Sequence, residues 1–161
     1  MERDERTEGS RSGGRVGPSW REVAWAWGPA LVWAVAIFYV SAQNTWTVFE
    51  GPPWVRVLRK LGHVFEYVVL ALLVGRGLLA LFTDWGRGRV GRRVLLRVWQ
   101  VGVVVSTLYA MTDEVHQLFV PRRVGYFWDV LVDALSATAA LGIWYIVRTK
   151  DEGRRTKDGR R

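Results

Sequence analysis

Four long apolar runs limit what this chain can fold into more than any other feature. The first, residues 23–42, carries no charge over twenty residues, and at a helical rise of about 1.5 Å per residue it matches a hydrocarbon core of roughly 30 Å. Three more follow at about 61–82, 94–120 and 126–147. In lipid each backbone N–H and C=O must be satisfied within its own segment, so runs of this kind are helical. The expected fold class is an all-α membrane protein, a bundle of four transmembrane helices. Half of the 161 residues are hydrophobic and ten are tryptophan, and their concentration in blocks argues against a water-soluble core. Val40, Ser41 and Ala42 resemble a signal-peptidase site, but the apolar run is too long for a signal peptide and more spans follow, so the first helix is expected to be retained.

Outside the spans, residues 1–22 and 148–161 are charged and poor in apolar residues, and read as disordered tails around a 23–147 membrane domain. Residues 43–60 read as a loop, with Pro52 and Pro53 blocking a helix and Trp46 and Trp54 suited to an interface. Of 23 Lys and Arg, sixteen lie in the N-terminal tail, the 86–93 loop and the C-terminal tail; Arg56, Arg59, Lys60, Arg122 and Arg123 lie in the other two loops. The positive-inside rule then places both termini of a multi-pass membrane protein in the cytoplasm. The net charge of +8 is thereby a topology signal. Without basic and aromatic interleaving it does not indicate a nucleic-acid partner. The absence of cysteine excludes disulfides, thiolate nucleophiles and Cys-ligated metals.

Ionisable side chains within apolar spans are costly and so are functional candidates. Lys60, His63, Glu66 and Tyr67 share a face at the start of the second span, and Tyr109, Asp113, His116 and Gln117 share one at the end of the third, beside Glu114. Asp129 and Asp133 begin the fourth, on a face that continues through Ser136, Ala137 and Ala140. Four antiparallel spans bring these groups to one bundle end, the outer side on the charge reading. A bland role competes at several positions. Asp129 fits a helix N-cap or dipole partner, Arg122 and Arg123 fit headgroup anchors, and the His and acid pairs fit inter-helix ties.

Lys60, His63 and Tyr67, followed by Asp113, Glu114, His116, Gln117, Phe119, Pro121 and Arg123 and then Asp129 and Asp133, resemble the VanZ-like family of small bacterial membrane proteins. The resemblance covers about residues 30–147. It departs where Arg122 follows Pro121, a place at which the family often has Gly. It implies a four-helix membrane domain and, for some members, low-level resistance to glycopeptides such as teicoplanin; it implies no established reaction.

Two functions fit these residues. An enzyme acting on a phosphate-linked lipid needs cations for the phosphate, a base and an acid. Lys60, Arg122 and Arg123 would hold phosphate, His116 oriented by Asp113 or Glu114 would be the base, and His63 with Glu66 a proton partner. Histidine suits either role because its unperturbed pKa is about 6.5. Gln117, Tyr67, Tyr109, Asp129 and Asp133 complete the candidate substrate contacts. A metal-assisted version would draw on His63, Glu66, Asp113, His116 and Asp133, but the spacing matches no strong metal motif, and no cofactor is expected. The alternative is a protein without turnover that binds or shields a lipid-linked cell-wall precursor or a glycopeptide. A transporter fits less well, because the polar residues gather at one end of the spans and do not continue across.

Overall fold

A computed structural model describes residues 17–43, 53–85, 87, 90–120 and 127–158. The expected tail at 1–16, the loop at 44–52 with Trp46, and the connection at 121–126 with Arg122 and Arg123 lie outside the described residues. The elements are four helices: α1 Trp20–Ser41, α2 Pro53–Phe82, α3 Arg92–Gln117 and α4 Phe127–Asp158. Each is long and apolar enough to cross a membrane. Their outward faces agree, since large apolar side chains such as Leu31, Val32, Val35, Leu135 and Ile143 stand exposed where only lipid would cover them at no cost.

The helix bounds correct the sequence reading in four places. α1 begins at Trp20, within the expected tail, because Ser19 and Glu22 form a reciprocal capping box that satisfies two otherwise unpaired N–H groups. α2 begins at Pro53, inside the expected loop. A proline at the first helical position loses nothing by lacking an N–H, so Pro53 starts the helix instead of blocking it. α3 stops at Gln117, before the expected 120. There Leu118, Phe119 and Val120 donate to Val115, His116 and Gln117 at 3.2, 3.0 and 3.1 Å, a tightened final turn ahead of Pro121, whose ring disfavours the α conformation in the preceding residue. α4 continues past 147 to Asp158, so residues 148–158 extend the helix instead of opening a disordered tail. The Lys, Arg, Glu and Thr residues there include no proline, and several are good helix formers.

Packing is centred on α2, α3 and α4, with α1 laid mainly on α2. Tyr67, Leu95, Val98, Ala137 and Leu141 are fully buried. Leu141 of α4 fits between glycines of the two neighbouring helices: a Cβ on Gly75 or on Gly102 would stand 2.8 Å from one of its methyl carbons. Small residues in membrane bundles act this way, letting a partner's side chain reach the backbone. α1 is fastened by polar contacts. Trp33 Nε1 donates to the Glu66 carbonyl of α2 at 2.9 Å, and the Tyr109 hydroxyl of α3 donates to the Ala34 carbonyl at 2.6 Å. The Tyr109→Phe variant is expected to lose about 1 kcal/mol, read as a fall of roughly 2–4 °C in the unfolding midpoint in detergent. An unchanged midpoint would show that the bond adds nothing to the α1–α3 contact.

Candidate functional site

The bundle end where α1 and α3 finish and α2 and α4 begin collects the acids. Asp113 is buried, and its Oδ2 accepts from the Ser41 hydroxyl of α1 and from Gln117 Nε2 one turn on, both at 2.9 Å. Its Oδ1 has no hydrogen-bond partner. Across the bundle Asp133 is equally buried. Its Oδ2 lies 3.8 Å from His63 Nδ1 of α2, and its Oδ1 also lacks a hydrogen-bond partner. Between them stands Tyr67, fully buried, with its hydroxyl unpartnered and its ring 6.4 Å from that of Tyr109. Tyr67 is within electrostatic reach of Asp113, Asp133 and Glu66. Asp133 is within reach of Asp129, Asp113, Glu114 and Glu66. The five acids are therefore within electrostatic reach of one another's neighbourhood at this end of the bundle.

His116 is placed by packing. Its ring stacks on Phe38 of α1 with centroids 4.0 Å apart and planes at 28°, and its Nε2 is buried without a hydrogen-bond partner. At the rim Lys60 Nζ is 3.5 Å from Asp129 Oδ1, with the lysine side chain 60 % exposed. Such a pair contributes about 0–1 kcal/mol, so Lys60 can exchange this partner for another anion at little cost. Asp129 also sits in the first turn of α4, where the helix dipole favours a negative charge. Beside the polar cluster an apolar cavity of about 230 Å³ opens between α3 and α4, lined by Met111, Val115, Leu118, Phe127 and Val130 with Glu114 at its polar edge. Among the described residues no group of three or more His, Asp or Glu side chains converges closely enough to hold a metal ion. The five side chains considered for a metal-assisted reaction thus share a region without forming a ligand set.

Among known families, the VanZ/LLP1 family model matches residues 23–148 of this chain. The chain belongs to the VanZ/LLP1 family. No curated protein and no solved structure matches it.

In this VanZ/LLP1 protein the structure brings together Lys60, His63, Glu66, Tyr67, Tyr109, Asp113, Glu114, Gln117, Asp129 and Asp133 at one end of the bundle, with His116 adjoining. Arg122 and Arg123 lie outside the described residues. The expected orientation of His116 by Asp113 is not the arrangement found. Asp113 Oδ2 is committed to Ser41 and Gln117 and its Oδ1 has no hydrogen-bond partner among the described residues, while the imidazole is held by Phe38. Tyr109 is likewise turned to the Ala34 carbonyl. Ser41 and Phe38 were not among the candidate residues. Ser41 was legible, as a hydroxyl closing an uncharged run at the membrane level of Asp113. Phe38 carried no signal, since an aromatic ring in an apolar span reads as lipid-facing.

Proposed function

We propose that this protein handles a phosphate-linked lipid or cell-envelope precursor, with the headgroup in the polar end of the bundle and the hydrocarbon chain in the α3–α4 cavity. The observation that carries this is four buried polar atoms at this end that have no hydrogen-bond partner among the described residues, Asp113 Oδ1, Asp133 Oδ1, the Tyr67 hydroxyl and His116 Nε2. Buried polar groups are normally satisfied, because leaving one bare costs about 1–3 kcal/mol. A ligand that satisfies this set has to supply donors to the carboxylates and an acceptor to the tyrosine. A headgroup bearing hydroxyl or amino groups beside a phosphate has both. Lys60 and His63 stand near enough to offset phosphate charge, and His116 Nε2 is able to take a proton from a hydroxyl or a water. The positive-inside distribution supports a reading in which this end faces the outer leaflet of the bacterial cytoplasmic membrane, with both termini inside.

Binding without turnover is the second reading, and one observation favours it: no carboxylate of the described residues hydrogen-bonds His116, so the base lacks the orienting partner that a general base usually has. In that case the protein shields a lipid-linked precursor or holds a glycopeptide, and changes glycopeptide susceptibility through access. Lipid mass spectrometry separates the two. The full chain in nanodiscs is supplied with labelled phospholipid and labelled polyprenyl-linked precursor, and wild type is compared with His116→Ala. Turnover predicts a new headgroup or phosphate species that falls by roughly 10²–10⁴ in the variant. No product, with precursor retained by wild type and His116→Ala alike, would establish binding alone. Neither product nor retention would sink the proposal.

A further inference from the structure

The opposite end of the bundle holds an arginine that nothing above uses. Arg76 lies six residues before the end of α2 at Phe82, roughly 9 Å inside the helix terminus, and is half-buried. It lines a cavity of about 170 Å³ with Glu22, Trp25, Ala26, Ala80 and Trp85. A guanidinium carries five N–H donors and stays charged at any accessible pH. Among the described residues none of the five has an acceptor. The contact Arg76 makes is with a π face, its Cζ standing 4.8 Å from the ring centre of Trp25. The one carboxylate in the cavity wall is engaged elsewhere: Glu22 Oε2 accepts from the Ser19 amide at 2.7 Å and hydroxyl at 3.1 Å, and Oε1 accepts from Arg87 at 3.3 Å. Asp84 and Trp85 both adopt left-handed backbone, with φ of 48° and 58°, a conformation that non-glycine residues rarely take. That turn sets Trp85 as a wall of the cavity.

Among the described residues this cation has no counter-ion within ion-pair distance, and its cavity, walled by Trp25 and Trp85, is open to an anion. We propose that the Arg76 cavity is a binding site for the phosphodiester headgroup of an anionic phospholipid. The guanidinium matches phosphate oxygens two at a time, and Trp25 and Trp85 are suited to the headgroup level. The site stands at the end that carries the basic loops, across the membrane from the polar cluster, and does not depend on what that cluster does.

Native mass spectrometry of the full chain released from nanodiscs reads the outcome, with phosphatidylglycerol competed against phosphatidylcholine. Wild type is expected to retain phosphatidylglycerol selectively, and Arg76→Gln to lower that retention by about fivefold. Arg97→Gln, which removes an exposed arginine of α3, is expected to leave it within about twofold. Should Arg76→Gln fail to fold, Trp25→Leu alters a side chain that is 74 % exposed and is expected to weaken retention in the same direction. Equal retention of the two lipids by wild type, or selectivity preserved in both Arg76→Gln and Trp25→Leu, would overturn the assignment. So would displacement of phosphatidylglycerol by millimolar inorganic phosphate, which would mark a site for the free anion.

Discussion

Asp113→Ala is expected to destabilise the bundle by about 2–4 kcal/mol and to remove the response to ligand, whereas Asp113→Asn is expected to keep the fold and lose the ligand response. The carboxylate ties α1 to α3 through Ser41 and steadies Gln117 in the next turn. Alanine removes the acceptor that both of those buried donors share, and losing a buried hydrogen bond of this kind costs about 1–3 kcal/mol. Asparagine preserves the shape and, with its oxygen in the Oδ2 position, still accepts from both Ser41 and Gln117, while its amide N–H groups take the place of Oδ1, so the remaining loss is about 1 kcal/mol. The charge and the free Oδ1 are gone in both variants. Thermal unfolding in detergent reads the first effect. Headgroup turnover or precursor retention in nanodiscs reads the second, with a loss of tenfold or more expected in each variant. Full ligand response in Asp113→Asn would make Asp113 a helix tie and move the site toward Asp133.

Asp133 shows why the polar cluster resists a purely structural explanation. An inter-helix tie is complete when both oxygens of its carboxylate are bonded, as buried polar groups in folded proteins generally are. Asp133 and Asp113 each leave an oxygen bare while sharing a small volume with Tyr67, whose hydroxyl is bare as well. These three groups are the ones that the headgroup of the proposed ligand would engage, and the neighbouring apolar cavity would take its hydrocarbon.

The fold was legible because span length is set by bilayer thickness and four apolar runs meet it. Depth was legible for the same reason: counting along antiparallel spans places His63, Asp113 and Asp133 at one level without knowledge of any contact. Partners across helices were not. Spacing assigns a residue to a face of its own helix, so Asp113 and His116, three apart, looked like a pair, although Asp113 is turned to Ser41 and His116 lies on Phe38. Helix ends were misplaced wherever a local cap outweighed composition, as at Ser19 and at Pro53. The α3–α4 cavity was invisible, because its lining residues are ordinary apolar positions that form a cavity only once the two helices are packed together.

Packing at Gly77 was equally hidden, and it carries the sharpest expectation about stability. A Cβ placed there would lie 2.7, 2.8 and 2.9 Å from three ring carbons of Trp27 in α1, distances that no relaxed contact shows. A leucine methyl can rotate aside, as Leu141 can opposite Gly75 or Gly102, but an indole is a rigid plate and must move as a whole. Trp27 packs against the buried core, so moving it shifts α1 on α2. Gly77→Ala is therefore expected to destabilise by about 1–3 kcal/mol, even though alanine is the better helix former by about 1 kcal/mol. Gly62→Ala is the contrast within the same helix, since a Cβ there meets nothing within 4 Å; its expected effect is neutral to about 1 kcal/mol stabilising. Unfolding midpoints of the two variants in one detergent should move in opposite directions. Equal midpoints would mean that α1 rides on α2 loosely enough to absorb a methyl group, and that polar contacts such as Ser41–Asp113, Tyr109–Ala34 and Trp33–Glu66 fix its position.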